Sequence, residues 1–413
     1  GAMLQGTQAA EGDAVLLMPQ DFAVAEEQAG SLLHMEIISR AELERCSRWP
    51  LAFANERKDR RYYEIVEDTI DQGFDYGYFA LKNEAGEIRA IQPFFINDQD
   101  MLAGTSPEIM KVVAPIRRLW PRFLKMRTLM VGNAGGEGHL DARDAMSRLL
   151  VAKSLAAGIF KQARRLKSRM LVFKEFPRVD RPALACLKKS DFTRIPSMPM
   201  TRLRLDDFRN YDDYLGTLSR NTRSQLRRKF KESDQRATLE MRIVSDITPY
   251  INDVYPLYLS VWEKSSLKFE KATPEYFCKV GQDMPDKALF FLWLLDGKIV
   301  AFNYCLIHGD SICSEYLGFD YKVAFDLHLY HVVSRDVLVW TIANKYKWWC
   351  STALNYEPKY RLRQELVPLD LYVRHASPIV NFIIKRVLPY LEPTRYDKIL
   401  QRFPNYNDLH AIQ

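Results

Sequence analysis

Residues 76–97 read YGYFALKNEAGEIRAIQPFFIN, two apolar runs parted by Asn83-Glu84-Ala85-Gly86. Strand-length apolar runs around a polar turn with glycine predict a β-hairpin. The pattern returns at 288–320, ALFFLWLLDGKIVAFNYCLIHGDSICSEYLGFD, where turns at Asp296-Gly297 and His308-Gly309-Asp310 divide three strands. Helical spacing of Met146, Leu149, Leu150, Ala156, Ile159 and Phe160 predicts a helix, with Asp141 and Asp144 both suited to cap it. Further helices are predicted around 41–72 and at 181–192, 211–232, 247–264 and 324–345. Further strands are predicted at 127–132, 168–176, 199–206, 350–355 and 368–374. Each half thus offers a hairpin on a charged glycine turn, another strand, a long helix and a buried strand. That order predicts a tandem α/β architecture.

With 413 residues, 47% of them apolar, the chain suits two packed domains. Gly1-Ala2-Met3 reads as a tag-cleavage scar and 4–30 as a frayed lead-in. The expected division is 1–30 scar and lead-in, 31–200 N-terminal domain, 201–375 C-terminal domain and 376–413 helical tail. The net charge of +7 is concentrated at 161–169, 220–231 and 359–363. Such clusters suit an anionic cofactor, a membrane surface or nucleic acid. Six cysteines lack metal-ligand spacing and lie mostly in apolar runs, which reads as reduced thiols in a cytoplasmic protein. No apolar run reaches the roughly 18–20 residues of a membrane span. The expected location is cytoplasmic, or peripheral on the inner face of the cytoplasmic membrane.

VGNAGGEGHLD, residues 131–141, lies between a predicted strand and a long helix. It matches GxGxxG in no register, and no Lys-Ser or Lys-Thr follows as a P-loop needs. Either it offers the helix N-terminus to an anion, or its glycines let the backbone approach an inter-domain cleft. The second alternative puts Glu137, His139 and Asp141 at the rim, with His139 a rival general base.

DYLGTLSRNTRSQLRRKFKES (213–233), GKIVAFNYCLIHGDSICSEYLGFD (297–320) and LNYEPKYRLRQELVPLDLYVRH (354–375) together resemble the Fem-like double-GNAT acyltransferases. This branch includes peptidoglycan-bridge aminoacyltransferases and bacterial GNAT N-acyltransferases, and GNAT-like bacterial ceramide synthases are of the same class. The resemblance implies tandem GNAT-like domains, each a mixed, mostly antiparallel sheet flanked by helices, followed here by a C-terminal amphipathic helix. It also implies N-acylation of a primary amine from a thioester, acyl-CoA or acyl-carrier protein, with no tightly bound cofactor. The glycine-spaced GNAT loop is reduced here to GFDYKVAFDLHLY, with Gly318 alone.

Amide formation needs a base for the amine, donors for the oxyanion and a proton for the leaving thiolate. Glu315, in the apolar run ICSEYLGF, is the first candidate base, with His308 and then Asp320 behind it. The structural alternative pairs Glu315 with a basic residue such as Lys359. Tyr316 and Tyr330 are candidate proton donors. Arg220, Arg223 and Arg227 share a helix face able to grip an anionic donor. The resemblance places Lys359 at the branch's substrate-contacting lysine, with Arg363 one turn on. In LVFKEF, Lys174 or Glu175 must face a cleft or partner. His328 and His331 lack a third metal ligand, so no metal is expected.

SPIVNFIIKRVLPYLEP, 377–393, has Ser377 as a cap, Pro378 at the first helical position and a broad apolar band beside Lys385 and Arg386. Such a helix packs onto the domain or lies on an anionic membrane through 377–391. The expected reaction is N-acyl transfer to an amphiphilic amine such as a sphingoid base. The alternatives are an amino sugar of envelope polysaccharide, aminoacyl-tRNA-dependent peptidoglycan bridging, and a non-enzymatic RNA- or membrane-binding module. Nucleic acid is the less expected partner, since no RNA-reading motif is present.

Overall fold

The computed structural model describes residues 31–103, 105–265 and 268–412, so the expected scar and lead-in lie outside the described residues. The first six strands are β1 (His34–Ile38), β2 (Asp75–Lys82), β3 (Ile88–Asp100), β4 (Lys125–Val131), β5 (Met170–Pro177) and β6 (Thr193–Pro196). Then come β7 (Met200–Arg204), β8 (Leu239–Val244), β9 (Ala288–Leu295), β10 (Lys298–His308) and β11 (Ser311–Phe319). β12 (Trp348–Ser351), β13 (Glu365–Val367) and β14 (Leu369–His375) complete the set. They form two seven-stranded sheets, ordered β1-β2-β3-β4-β5-β14-β6 and β13-β7-β12-β11-β10-β9-β8. β4 and β5 are parallel in the first, β11 and β12 in the second; the other pairs are antiparallel.

Helices of ten residues or more are numbered α1 (Arg60–Thr69), α2 (Pro107–Leu119), α3 (Ala145–Arg165) and α4 (Arg220–Arg236), then α5 (Ile251–Lys264), α6 (Pro274–Asp283), α7 (Leu329–Ala343) and α8 (Pro378–Leu391). A parallel pair needs a crossover, and a helix supplies it in both halves: α3 between β4 and β5, α7 between β11 and β12. Asp144, not Asp141, caps α3 by accepting from Ser147 N. Asp141 is buried, accepting from Ile91 N and pairing with Arg48 at 2.9 Å.

The strand expected to close the C-terminal domain lies in the first sheet instead. Val367 ends β13 in the second sheet, and after Pro368 the chain enters β14 between β5 and β6. Buried charge explains this placement. Asp370 is fully buried, and its carboxylate meets Arg181 Nε at 2.7 Å and Arg194 at 3.3 Å, both in the first half. A buried carboxylate is stable where its cations are. β6 and β7 make the opposite crossing nearby, and Ser197 N donates to Leu369 O. One apolar cluster spans both halves, joining Tyr62, Val66 and Phe95 to Leu257, Tyr276, Phe277 and Phe302.

Candidate active site

β11 and β12 pair in register from Ser311–Trp348 to Ser314–Ser351, where β12 stops while β11 runs on to Phe319. The divergence opens a gap walled by Glu315, Tyr316 and Leu317 on one side and by Thr352–Asn355 on the other. Leu354 and Asn355 both have left-handed backbone, at φ 79° and 56°. Lys359, on the short helix Tyr356–Arg361, donates to Thr352 O and Leu354 O, both at 2.7 Å. It therefore holds this strained segment in place. Burial lowers its ammonium pKa to about 7.

The gap opens into a cavity of about 1470 Å³ shared by both halves. Glu315 does not pair with Lys359. Its carboxylate meets Arg57 Nε at 2.7 Å and Lys58 Nζ at 3.4 Å, both from the N-terminal half. Lys58 also meets Glu137 at 2.9 Å, and Arg57 reaches the other Glu137 oxygen. Four buried charges thus bridge the halves. Burial would raise the Glu137 carboxyl, but Arg57 and Lys58 hold it well below its ordinary range. Burial would lower the Lys58 ammonium, but Glu137 and Glu315 hold it above its usual value. Both oxygens of Glu315 are thus engaged by cations from the other half.

The glycine-rich segment fills the gap in the first sheet that corresponds to the open one in the second. Past Val131 and Phe173, where β4 and β5 cease to pair, Gly132 N donates to Pro93 O and Gly138 N to Glu175 O. Gly135 N donates to Asn133 Oδ1. Its carbonyls are also engaged: Lys174 Nζ donates to Asn133 O and Gly136 O, and Lys58 Nζ and Tyr62 Oη donate to Gly135 O. A Cβ on Gly136, where φ is 146°, would lie 2.0 Å from Lys58 Nζ. Glycine is required for this close approach. The segment offers no open cradle for an anion, and it delivers Glu137 to the central charges.

Lys174 and Glu175 sit at a bulge, where the β14 register shifts between Asp370 and Tyr372, and both line the cavity. Glu175 is left-handed, at φ 56°. For a non-glycine residue that costs about 1–3 kcal/mol and marks a constrained position. Its carboxylate lies 3.6 Å from Lys174 Nζ, with 28% of its side chain uncovered. Burial raises its pKa against the pull of Lys174, and Glu270 and Glu137 raise it further. Tyr316 Oη donates to Glu270 at 2.8 Å, and burial with that carboxylate keeps the phenol protonated.

The cavity's other arm reaches the N-terminus of α7, where Lys229, Lys264, Lys268, His328 and His331 line it. Burial, then Lys229, lowers His331 to about 4, so the neutral ring accepts from Lys229 at 3.1 Å. His328 meets Glu232 at 2.7 Å. Tyr330 lines the same arm, its phenol pushed up to about 12 by burial.

Of the residues singled out from sequence, Glu315, Tyr316, Tyr330, Lys359, Lys174, Glu175 and Glu137 therefore meet at one cavity. His328 and His331 line it as well, and the remaining candidate site residues lie outside its lining. His308 is on β10, where burial and Lys287 lower its pKa. His139 faces Glu56 at 3.5 Å. Arg220 and Arg227 are exposed, and Arg223 and Arg363 donate to Gly216 O and Thr217 O. Asp320 accepts from Lys322 N and pairs with Lys298. Gly318 has a packing role, since a Cβ there would lie 2.6 Å from the Leu257 backbone on α5. Sequence reasoning missed Arg57, Lys58 and Lys229. Lys229 was detectable, standing one turn past buried Leu226 and beside Phe230.

Residues 220–351 match the acetyltransferase (GNAT) domain family, a span that contains α4, the β9–β10–β11 meander, α7 and β12. That span carries a GNAT-type acyltransferase domain. The chain's two sheets form a Fem-like tandem GNAT fold. FemX is 10% identical, with 84% of this chain covering 99% of that one at a TM-score of 0.50, a likeness of fold. L-PGS from Bacillus licheniformis is 13% identical over 85% of this chain and 97% of its own, at a TM-score of 0.47. A tandem GNAT protein from the clavulanic acid biosynthesis pathway is 11% identical over 84% and 99%, at 0.44. No curated protein matches the chain. GNAT enzymes use acyl-CoA as co-substrate. The open gap lies in the half that matches the family, and the filled one in the other.

Proposed function

We propose that this acyltransferase moves an acyl group from acyl-CoA to the primary amine of an amphiphilic, lipid-type acceptor such as a sphingoid base. The observation that carries this reading is the cavity. At about 1470 Å³ it exceeds the roughly 300–1,000 Å³ of ordinary small-molecule sites. Its N-terminal wall is apolar, built from Met130, Val172, Ile195, Leu371, Val373 and Leu388, with the polar groups gathered near the gap. An acyl chain and a lipid tail both need such space. The cationic arm of Lys229, Lys264 and Lys268 suits the phosphates of the donor.

In this reading Glu175 takes the amine proton as nitrogen attacks the thioester carbonyl carbon. The C–S bond then breaks, and Tyr316 returns a proton to the departing sulfur, with Glu270 holding the phenol in place. Lys359 is a positioning residue for segment 352–355. Among the described residues no helix is long and apolar enough to cross a membrane. The tail helix α8 suits contact with an anionic membrane from one side. The reading is tested by incubating the protein with palmitoyl-CoA or acetyl-CoA and with sphinganine or glucosamine, followed by mass spectrometry. N-palmitoyl sphinganine is the expected product. Product from glucosamine alone, or from neither amine, refutes the lipid acceptor.

The exposed Arg220, Arg227 and Arg228 favour a second reading, transfer from aminoacyl-tRNA, because a long polyanion needs solvent-facing cations. Against it, α5 and α6 bury Val254, Leu257, Tyr258, Tyr276 and Phe277 instead of projecting as a charged hairpin. Thermal shifts with tRNA and with palmitoyl-CoA decide between the two donors.

A further inference from the structure

α8 is apolar on both sides. Its inner side buries Leu388 and sends Leu391 to the cavity wall. Its outer side presents Ile379, Phe382, Ile383, Val387 and Tyr390 to solvent, between 43% and 76% exposed. Counted from Ile379, their spacing of three, four, eight and eleven residues is one helical stripe. A folded protein does not ordinarily leave such a stripe bare.

α2, far away in sequence, repeats the arrangement. Val112, Ile116 and Leu119, with Trp120 at its C-cap, form an outward stripe, and Leu119 is 92% exposed. The chain just before α2, Asp98–Met101 and Ala103, lines the same cavity as Leu388 and Leu391. Met101 and Ile384 pack against one apolar cluster that includes Leu388. Both stripes therefore adjoin segments that line the cavity. Their flanking charge is positive: α2 carries Lys111, Arg117 and Arg118 against Glu108, and α8 carries Lys385 and Arg386 with no acid. Arg117 pairs with Asp100 and Lys385 with Asp191, while Lys111, Arg118 and Arg386 stay exposed.

We infer that α2 and α8 form a two-part rim that docks on an anionic lipid bilayer and sets the cavity mouth against it. Apolar stripes flanked by cations fit the boundary between headgroups and acyl chains, where each cation near an anionic surface adds to binding. The docked rim gives an amphiphilic acceptor a route from bilayer to cavity, a consequence that rests on the lipid-acceptor reading. The docking itself does not.

The test is co-sedimentation of the full chain with vesicles of phosphatidylcholine alone or mixed with phosphatidylglycerol at 7:3. The variants are Leu119→Glu with Trp120→Glu, Phe382→Glu with Ile383→Glu, and all four together. Circular dichroism and melting temperature confirm that each variant folds. The wild type is expected to bind the anionic vesicles, to weaken in 0.5 M salt and to bind at least tenfold less to neutral ones. Each pair of changes is expected to lower binding at least tenfold. Absence of wild-type binding overturns the inference, as does binding indifferent to the α2 pair. A dimer in light scattering that the same variants split, without vesicle binding, assigns the face to a second copy and also overturns it. Acylation of sphinganine in detergent micelles separates the two ideas. Wild-type turnover without wild-type vesicle binding refutes only the rim, and wild-type vesicle binding without turnover refutes only the acceptor.

Discussion

Lys58→Met removes one of the two cations that hold Glu137 and Glu315 at the junction of the halves. Lys58 is 1% exposed, and its ammonium lies 2.9 Å from Glu137, 3.4 Å from Glu315 and 3.2 Å from Gly135 O. Breaking a buried ion pair on one side costs about 3–5 kcal/mol, because the opposite charge stays buried without compensation. Arg57 still touches both carboxylates, which places the expected loss near the lower end, about 3 kcal/mol. The sign of the pH dependence follows from Glu137. Its folded pKa lies well below the usual value, so its stabilisation is complete above the unfolded pKa of about 4.3 and is lost as pH falls through the folded pKa. Without Lys58, burial pushes that carboxyl upward, and the variant takes up a proton at a pH where the wild type does not. The penalty is therefore full at pH 8 and shrinks toward pH 5. Urea unfolding of both proteins at the two pH values, followed by tryptophan fluorescence and circular dichroism, measures it. Lys58→Met with Glu137→Gln should recover part of the loss, since both charges then leave together. A penalty below about 1 kcal/mol that ignores pH, the range of an exposed ion pair, refutes the bridging role of these charges.

Three further outcomes are expected. Glu175→Gln should cut the plateau rate of N-acylation by about 10²–10⁴-fold, and the wild-type acidic limb should lie above the usual carboxylate value of about 4.3, because a raised pKa keeps the base protonated further up the scale; a pH–rate profile of both proteins checks this, and an unchanged profile refutes it. Lys359 has a folded pKa of about 7 against roughly 10.4 unfolded, so the unfolded chain holds the extra proton between these values and stability rises with pH across that window. Urea midpoints should thus gain more from pH 7 to pH 9 in the wild type than in Lys359→Met. Gly318→Ala should destabilise the chain by about 1–3 kcal/mol through overpacking against Phe302 and Leu257, while palmitoyl-CoA affinity of the folded variant stays unchanged; thermal melts and a binding titration separate the two effects.

The parts of this fold legible in sequence are those whose information is local. Turns at Asn83–Gly86 and Asp296–Gly297 place the hairpins, because glycine at φ 80° and 79° is a property of the turn alone. Glu315 is legible because a carboxylate in an apolar strand marks a special position wherever its partner lies. Partners are a different matter. Arg57 and Glu315 are 258 residues apart, and no spacing rule reaches that far. Strand period two shows that 369–375 is extended but is silent on the sheet it joins; Asp370 and its two arginines decide that.

The glycine-rich segment left two alternatives open for the same reason. Glycines between a strand and a helix fit a phosphate cradle and a closely packed loop equally well, and only the hydrogen-bond partners distinguish them. Here those partners are Lys174 and Lys58, whose ammonium groups take up the loop's carbonyls. The consequence is an asymmetry between two similar halves. The first closes its own gap with this loop and lends Arg57, Lys58, Glu137, Lys174 and Glu175 to the second. The second keeps its gap open but uses both oxygens of its strand carboxylate, Glu315, to hold the first. The proposed reaction accordingly draws its base from the half whose own gap is filled, where Glu175 stands on its strained bulge.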